Sequence, residues 1–223
     1  MFDSKYEITG YLNKGFRAAV YKAVDKSTGK HVSVKKLLKS DNLTSHMRDL
    51  INREVTIQYM LPDHPNICQS HGHFDTRRRY IHVIQVLIVT EICGTSTVYE
   101  QLSDTPMSEH RVRNIVRQVV AGAEALEKAS IFHMDLWSAN WLIDVEDNDR
   151  VKIIDFGVAA ITDERVNEMP PDFPIVIPEF LTTKSARPSS FAPWAMSLCI
   201  FSLIFKREAF GLNRDFSNII DRR

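Results

Sequence analysis

Three cysteines among 223 residues, with no Cys-x-x-Cys pair, leave no disulfide framework and no zinc knuckle to read from spacing. Cys68, Cys93 and Cys199 are an odd number, and the reading they support is buried, reduced thiols in an intracellular compartment, cytoplasmic or nuclear. Net charge is also missing: 28 Lys and Arg balance 28 Asp and Glu. Nucleic-acid modules carry a basic excess, so a general polyanion binder is excluded and no nucleic-acid partner is expected. No apolar run reaches the ~18 residues of a membrane span. The longest, residues 191–205, is interrupted by Ser197 and Ser202 and reads as a buried helix. The opening Met1-Phe2-Asp3-Ser4-Lys5 has no leader pattern, and the chain shows neither repeats nor a low-complexity linker. What remains, 44% hydrophobic and 25% charged, is the composition of an ordinary globular chain of one or two domains.

The informative stretch is residues 132–157, FHMDLWSANWLIDVEDNDRVKIIDFG. Residues 143–145 and 151–153 read as two short β-branched strands, and Glu146-Asp147-Asn148-Asp149 between them is turn chemistry. A hairpin there carries Asn140 where the chain enters and Asp155 where it leaves. Two oxygen-bearing side chains at the mouth of a small sheet suit Mg²⁺, a hard cation that takes a few protein oxygens together with phosphate. Asp135, on the loop leading in, stands where a carboxylate could orient a hydroxyl for attack.

His133-Met134-Asp135-Leu136-Trp137-Ser138-Ala139-Asn140, followed by Asp155-Phe156-Gly157, resembles the catalytic core of eukaryotic-type protein kinases, whose pattern is His-Arg-Asp-Leu-Lys-x-x-Asn and then Asp-Phe-Gly. The two halves stand at the family spacing. The resemblance implies an α+β, bilobal fold: residues 1–91 as a small antiparallel-sheet lobe with one main helix, 92–95 as a hinge, and 96–223 as a mostly helical large lobe that stops short. It also implies ATP and Mg²⁺ as cofactors, with Asp135 catalytic and Asn140 and Asp155 on the metal.

The rest of the chain falls into the same register. Residues 6–34 alternate like an antiparallel meander. Asn13-Lys14-Gly15-Phe16-Arg17-Ala18-Ala19-Val20 is similar to the family's glycine-rich loop with only the middle glycine kept, which implies that Asn13, Gly15, Ala18 and Val20 contact the nucleotide and grip it more loosely. His31-Val32-Ser33-Val34-Lys35 looks like the third kinase strand. Alternation puts Ser33 and Lys35 on one face, and the resemblance gives Lys35 the α- and β-phosphates. Residues 45–61 read as a helix with Leu50, Ile57 and Leu61 on one stripe, and Glu54 falls on that apolar side. A carboxylate there needs a cation, and the family's strand-lysine to helix-glutamate pair makes Lys35 its partner. Residues 80–90 form an apolar strand running into Glu91-Ile92-Cys93-Gly94. By resemblance Thr90 is the gatekeeper, the backbones of Glu91 and Cys93 meet adenine, and Leu142 lies under it. Residues 107–129 carry apolar residues at helical spacing and have a core role.

The departures are specific. Gln58 stands where the family stacks an apolar residue. Met134 replaces the Arg that pairs with an activation-segment phosphate, and Thr162 is the single hydroxyl between Gly157 and Pro178. Trp137 replaces a Lys on the transferring phosphate, a loss of roughly 2–4 kcal/mol if it equals one preorganised donor. Ile177-Pro178-Glu179 looks like the family's Ala-Pro-Glu, yet Glu179 is expected to lack its Arg partner, and Ala192 stands where an Asp tethers the catalytic loop. Three functions follow as expectations: a protein kinase acting on a protein hydroxyl, Ser/Thr rather than Tyr; a pseudokinase that regulates a partner; and, from Trp137-Ser138, a small-molecule kinase resembling fructosamine kinases.

Overall fold

The computed structural model describes residues 1–14, 18–40, 44–77, 83–94, 96–101, 107–167 and 177–205. Contacts divide the chain into two units, Met1–Asp63 with Cys68–Ile92, and His64–Ile67 with Cys93–Arg223.

The first unit opens with a short helix α1 (Phe2–Lys5) and continues through strands β1 (Tyr6–Lys14), β2 (Ala18–Asp25) and β3 (His31–Ser40), helix α2 (Ser45–Met60), and strands β4 (Ser70–Arg77) and β5 (Val83–Glu91). The sheet is antiparallel in the order β1-β2-β3-β5-β4. Strand β5 reads as an apolar run because both of its faces are covered. Leu87 and Val89 join Val32, Val34, Ala23, Tyr6 and Phe2 on one face. Val86 and Ile88 point the other way and join Leu37 and Ile51. The first face is closed by Phe2, Tyr6 and Phe74, whose rings lie 5.5–5.7 Å apart. α1 and this aromatic trio carry no period that sequence reading could find.

The second unit contains the two-residue strand β6 (Ser96–Thr97), the long helix α3 (Glu109–Lys128), the hairpin β7 (Trp141–Asp144) and β8 (Arg150–Ile153), and helices α4 (Pro178–Thr183) and α5 (Phe191–Phe205). Ser108 caps α3 by accepting the Arg111 N–H at 3.3 Å. Val112, Ile115, Val119, Ala123 and Leu126 form its buried stripe, and α3 packs on β8. Polar groups lock that packing. Gln118 Oε1 accepts from the Val151 N–H at 2.9 Å, Gln118 Nε2 donates to the Asp149 carbonyl at 2.9 Å, and Arg111 grips both Asp149 oxygens at 2.8 and 2.9 Å. Asn66 ties the strand from its other side: its carbonyl accepts the Ile153 N–H at 2.9 Å and its Nδ2 donates to the Val151 carbonyl at 2.8 Å. The turn between β7 and β8 places Asn148 and Asp149 at φ 52° and 55°, the left-handed region these residue types tolerate.

Two expectations are corrected here. Cys68 and Cys93 are disulfide-bonded, and only Cys199 is a free, buried thiol. Counting cysteines could not show this, since spacing without a Cys-x-x-Cys pair carries no pairing signal. Helix α5 is less buried than its apolar sequence implies, since Phe201 keeps 43% of its surface exposed. No helix among the described residues is long and apolar enough to cross a membrane.

Gly94 marks a close backbone approach: a Cβ there would lie 2.8 Å from the carbonyl oxygen of Ile143. Gly94→Ala should therefore lower unfolding stability by roughly 1–3 kcal/mol, the range for forcing atoms into a packed site. Urea denaturation of the two proteins side by side measures this, and an unchanged midpoint would refute the close approach.

Candidate active site

In the first unit, alternation along β3 puts Lys35 on the same face as Leu37, the face that α2 covers. On α2, Leu50, Ile51, Glu54 and Ile57 are buried, so the carboxylate is carried inward with its apolar neighbours. Lys35 Nζ donates to Glu54 Oε1 at 2.7 Å, with side-chain exposures of 21% and 6%. The ammonium is thus pinned by a buried acid while a fifth of its side chain stays open to solvent. Asn13 stands opposite Val20 in the β1–β2 ladder, and Val20 opposite Lys35 in the β2–β3 ladder. Ala18 opens β2 opposite Leu37, and Ser33 pairs with Thr90. Gly15 lies outside the described residues. The Thr90 hydroxyl donates to the Glu91 carbonyl at 3.2 Å, and the Glu91 carboxylate and N–H both face the Gln69 backbone.

In the second unit, Asp135, Asn140 and Asp155 come together because the β7–β8 hairpin returns the chain to its starting point. The Asn140 N–H donates to the Trp137 carbonyl at 2.8 Å, and its carbonyl accepts the Ile154 N–H at 3.0 Å. Its Nδ2 donates to both the backbone carbonyl and Oδ2 of Asp135, each at 2.8 Å. This leaves the oxygen as the end of the Asn140 amide suited to a cation. Asp155, exposed, holds φ 62° and accepts the Gly157 N–H at 3.2 Å through Oδ1. An amide oxygen beside a carboxylate is a donor set that fits Mg²⁺. His133 is structural, as its place beside an apolar helix implies: Nε2 meets the Ile154 carbonyl at 2.9 Å, and the ring lies 5.1 Å from that of Phe156. Leu142 is half-buried on β7, opposite Thr97 and Lys152. Cys93 is buried and its sulfur is bonded.

The departures in this stretch have physical accounts. Met134 adopts φ 62° and is 5% exposed, in a cluster with Ala160, Ile177, Ala186, Phe191 and Ala195, so an apolar side chain fills the place of a charged one. Trp137 packs against that cluster, with its ring 5.8 Å from that of Tyr99. Glu179 is bound within its own stretch: Arg165 Nη1 meets its Oε1 at 2.9 Å, an arginine other than the family's usual partner. The same stretch is tied further by paired backbone bonds between Val166 and Ala186 and by Ser189 donating twice to the Asp163 carboxylate. Ala192 lines a cavity of about 10 Å³ beside His133, Leu136 and Pro188, room for a single water. Sequence reading missed Arg165 and Cys199. An ion pair 14 residues apart through an irregular segment has no periodic signal.

The protein kinase domain model matches residues 6–222. The chain belongs to the protein kinase family. It is 25% identical to human NUAK family SNF1-like kinase 1 over 97% of its length, covering 32% of that relative. It is 24% identical over 90% of its length to CBL-interacting protein kinase 28 of Oryza sativa subsp. japonica, covering 45% of it. It is 27% identical over 92% of its length to the Xenopus laevis serine/threonine-protein kinase PLK4, covering 21% of it. The chain thus spans between about a fifth and a half of these relatives, and its kinship to serine/threonine kinases is a kinship of this domain.

Breaking the Lys35–Glu54 pair from one side should hurt more than removing both charges. Lys35→Met is expected to lower stability by roughly 2–3 kcal/mol, somewhat under the figure for a fully buried pair because Lys35 is partly exposed. Lys35→Met with Glu54→Leu should recover most of the loss. Thermal unfolding of the three proteins decides it; equal losses in the single and double variants would show that the pair is not coupled.

Proposed function

We propose that this kinase domain is an ATP-dependent protein kinase that transfers the γ-phosphate to a serine or threonine hydroxyl of a protein substrate. The observation that carries the reading is the pair of hydrogen bonds that the Asn140 amide nitrogen donates to Asp135, which supports a fixed carboxylate and a fixed amide oxygen. In this reading Asp135 orients the substrate hydroxyl and takes up its proton. Asn140 and Asp155 would hold Mg²⁺, which supplies neutralising charge to the phosphate oxygens. Lys35, steadied by Glu54, takes the α- and β-phosphates as a point charge. Asn13, Gly15, Ala18, Val20, Ser33, Thr90, Glu91, Cys93 and Leu142 are proposed to line the nucleotide.

A second reading, a nucleotide-binding pseudokinase that regulates a partner, is favoured by Trp137. Its indole is committed to packing against Tyr99 and the Met134 cluster, so it brings no charge to a transferred phosphate. A small-molecule kinase is the third outcome of the same assay.

The purified domain should transfer label from γ-labelled ATP to a protein substrate in the presence of Mg²⁺, and Asp155→Ala should cut the rate at least ~100-fold. Equal incorporation by wild type and variant would end the catalytic reading. A nucleotide-dependent thermal shift without turnover would move the assignment to the pseudokinase. Consumption of ATP only when a sugar or amine is supplied would move it to the small-molecule enzyme.

A further inference from the structure

We infer that Cys199 is a positioning residue: its sulfur, on α5, holds the backbone of the loop that carries Asp135 and Asn140. The inference deepens the proposed kinase activity and rests on it for its catalytic consequence alone.

Ser138 opens a one-turn 3-10 helix, Ser138–Asn140, and is 5% exposed. The first N–H groups of a helical turn have no partner within it, and a buried N–H left without one is costly. Here the Ser138 N–H donates to Cys199 Sγ at 3.2 Å, in a fully buried contact. That turn then sets Asn140, whose amide reaches back to Asp135. One thiol therefore holds the start of the turn that carries Asn140, and Asn140 in turn holds Asp135.

The neighbourhood makes this assignment specific. Ala192, Ala195 and Cys199 lie on the buried side of α5, and these small side chains let the loop approach the helix closely. Ala192 has no acceptor to offer and lines the water-sized cavity beside His133. The two serines of α5 turn back on their own helix, Ser197 to the Pro193 carbonyl and Ser202 to the Leu198 carbonyl. Burial pushes the Cys199 thiol up to about 12, so it meets Ser138 as a neutral sulfur acceptor at any ordinary pH. Neutrality matters next to Asp135: a second anion under the loop would oppose that carboxylate.

The test separates an acceptor from a filler of volume. Cys199→Ser keeps an acceptor, whereas Cys199→Val fills the space and offers none. If the residue only packs, Val should serve this apolar site at least as well as Ser. Amide hydrogen exchange in the full chain reads the tether directly, without turnover. Ser138 should stay protected in the wild type and in Cys199→Ser, and should exchange at least ~10-fold faster in Cys199→Val, the size of one lost net hydrogen bond. In the phosphotransfer assay, kcat should fall about tenfold in Cys199→Val with KM for ATP unchanged, and recover in Cys199→Ser. Equal Ser138 protection in all three proteins would overturn the tether. So would a Cys199→Val protein that keeps wild-type kcat while Cys199→Ser loses it. A wild type without turnover would end the kinase reading and leave the exchange result to decide the tether alone.

Discussion

The contact on which the geometry of the candidate site in the second unit depends is the Asn140 amide reaching back to Asp135. Two bonds of 2.8 Å from one nitrogen fix a backbone carbonyl and a carboxylate oxygen together, and a charge-assisted bond of that length is among the stronger polar contacts a protein makes. Everything around it keeps the two residues in reach. The β7–β8 hairpin returns the chain, His133 holds the Ile154 carbonyl, and Ile154 holds Asn140. Arg111, Gln118 and Asn66 then bind the hairpin to α3. These contacts join the loop, the hairpin and the helix through buried and part-buried hydrogen bonds, which are electrostatically stronger there than in water.

The first unit solves a different problem, that of a charge on a buried helix face. Glu54 is carried inward by the period of α2, and the face of β3 that α2 covers supplies Lys35 to neutralise it. The pair is a consequence of two periods meeting, 3.6 on the helix and 2 on the strand.

Where the chain departs from its family, packing has taken over from charge. Met134, Ile177, Phe191 and half-buried Trp137 belong to one apolar cluster, and Met134 and Trp137 stand on either side of Asp135 in the sequence. The stretch around Glu179 is held by its own side chains, Arg165 on Glu179 and Ser189 on Asp163, and by the Val166–Ala186 backbone pair. These ties need no added phosphate.

The sequence by itself determined the family, the main helices α2, α3 and α5 and the Lys35–Glu54 pairing, because each is written in a short-range period or in a motif at fixed spacing. It also placed Asn140 and Asp155 at the two ends of one hairpin. It could not show the Phe2–Tyr6–Phe74 trio, the Arg165–Glu179 pair, the disulfide-bonded state of Cys68 and Cys93, or the bond from Ser138 to Cys199. The contacts among these join residues with no common period, and which of many equally plausible partners meet was decided only when the sheet and helices packed.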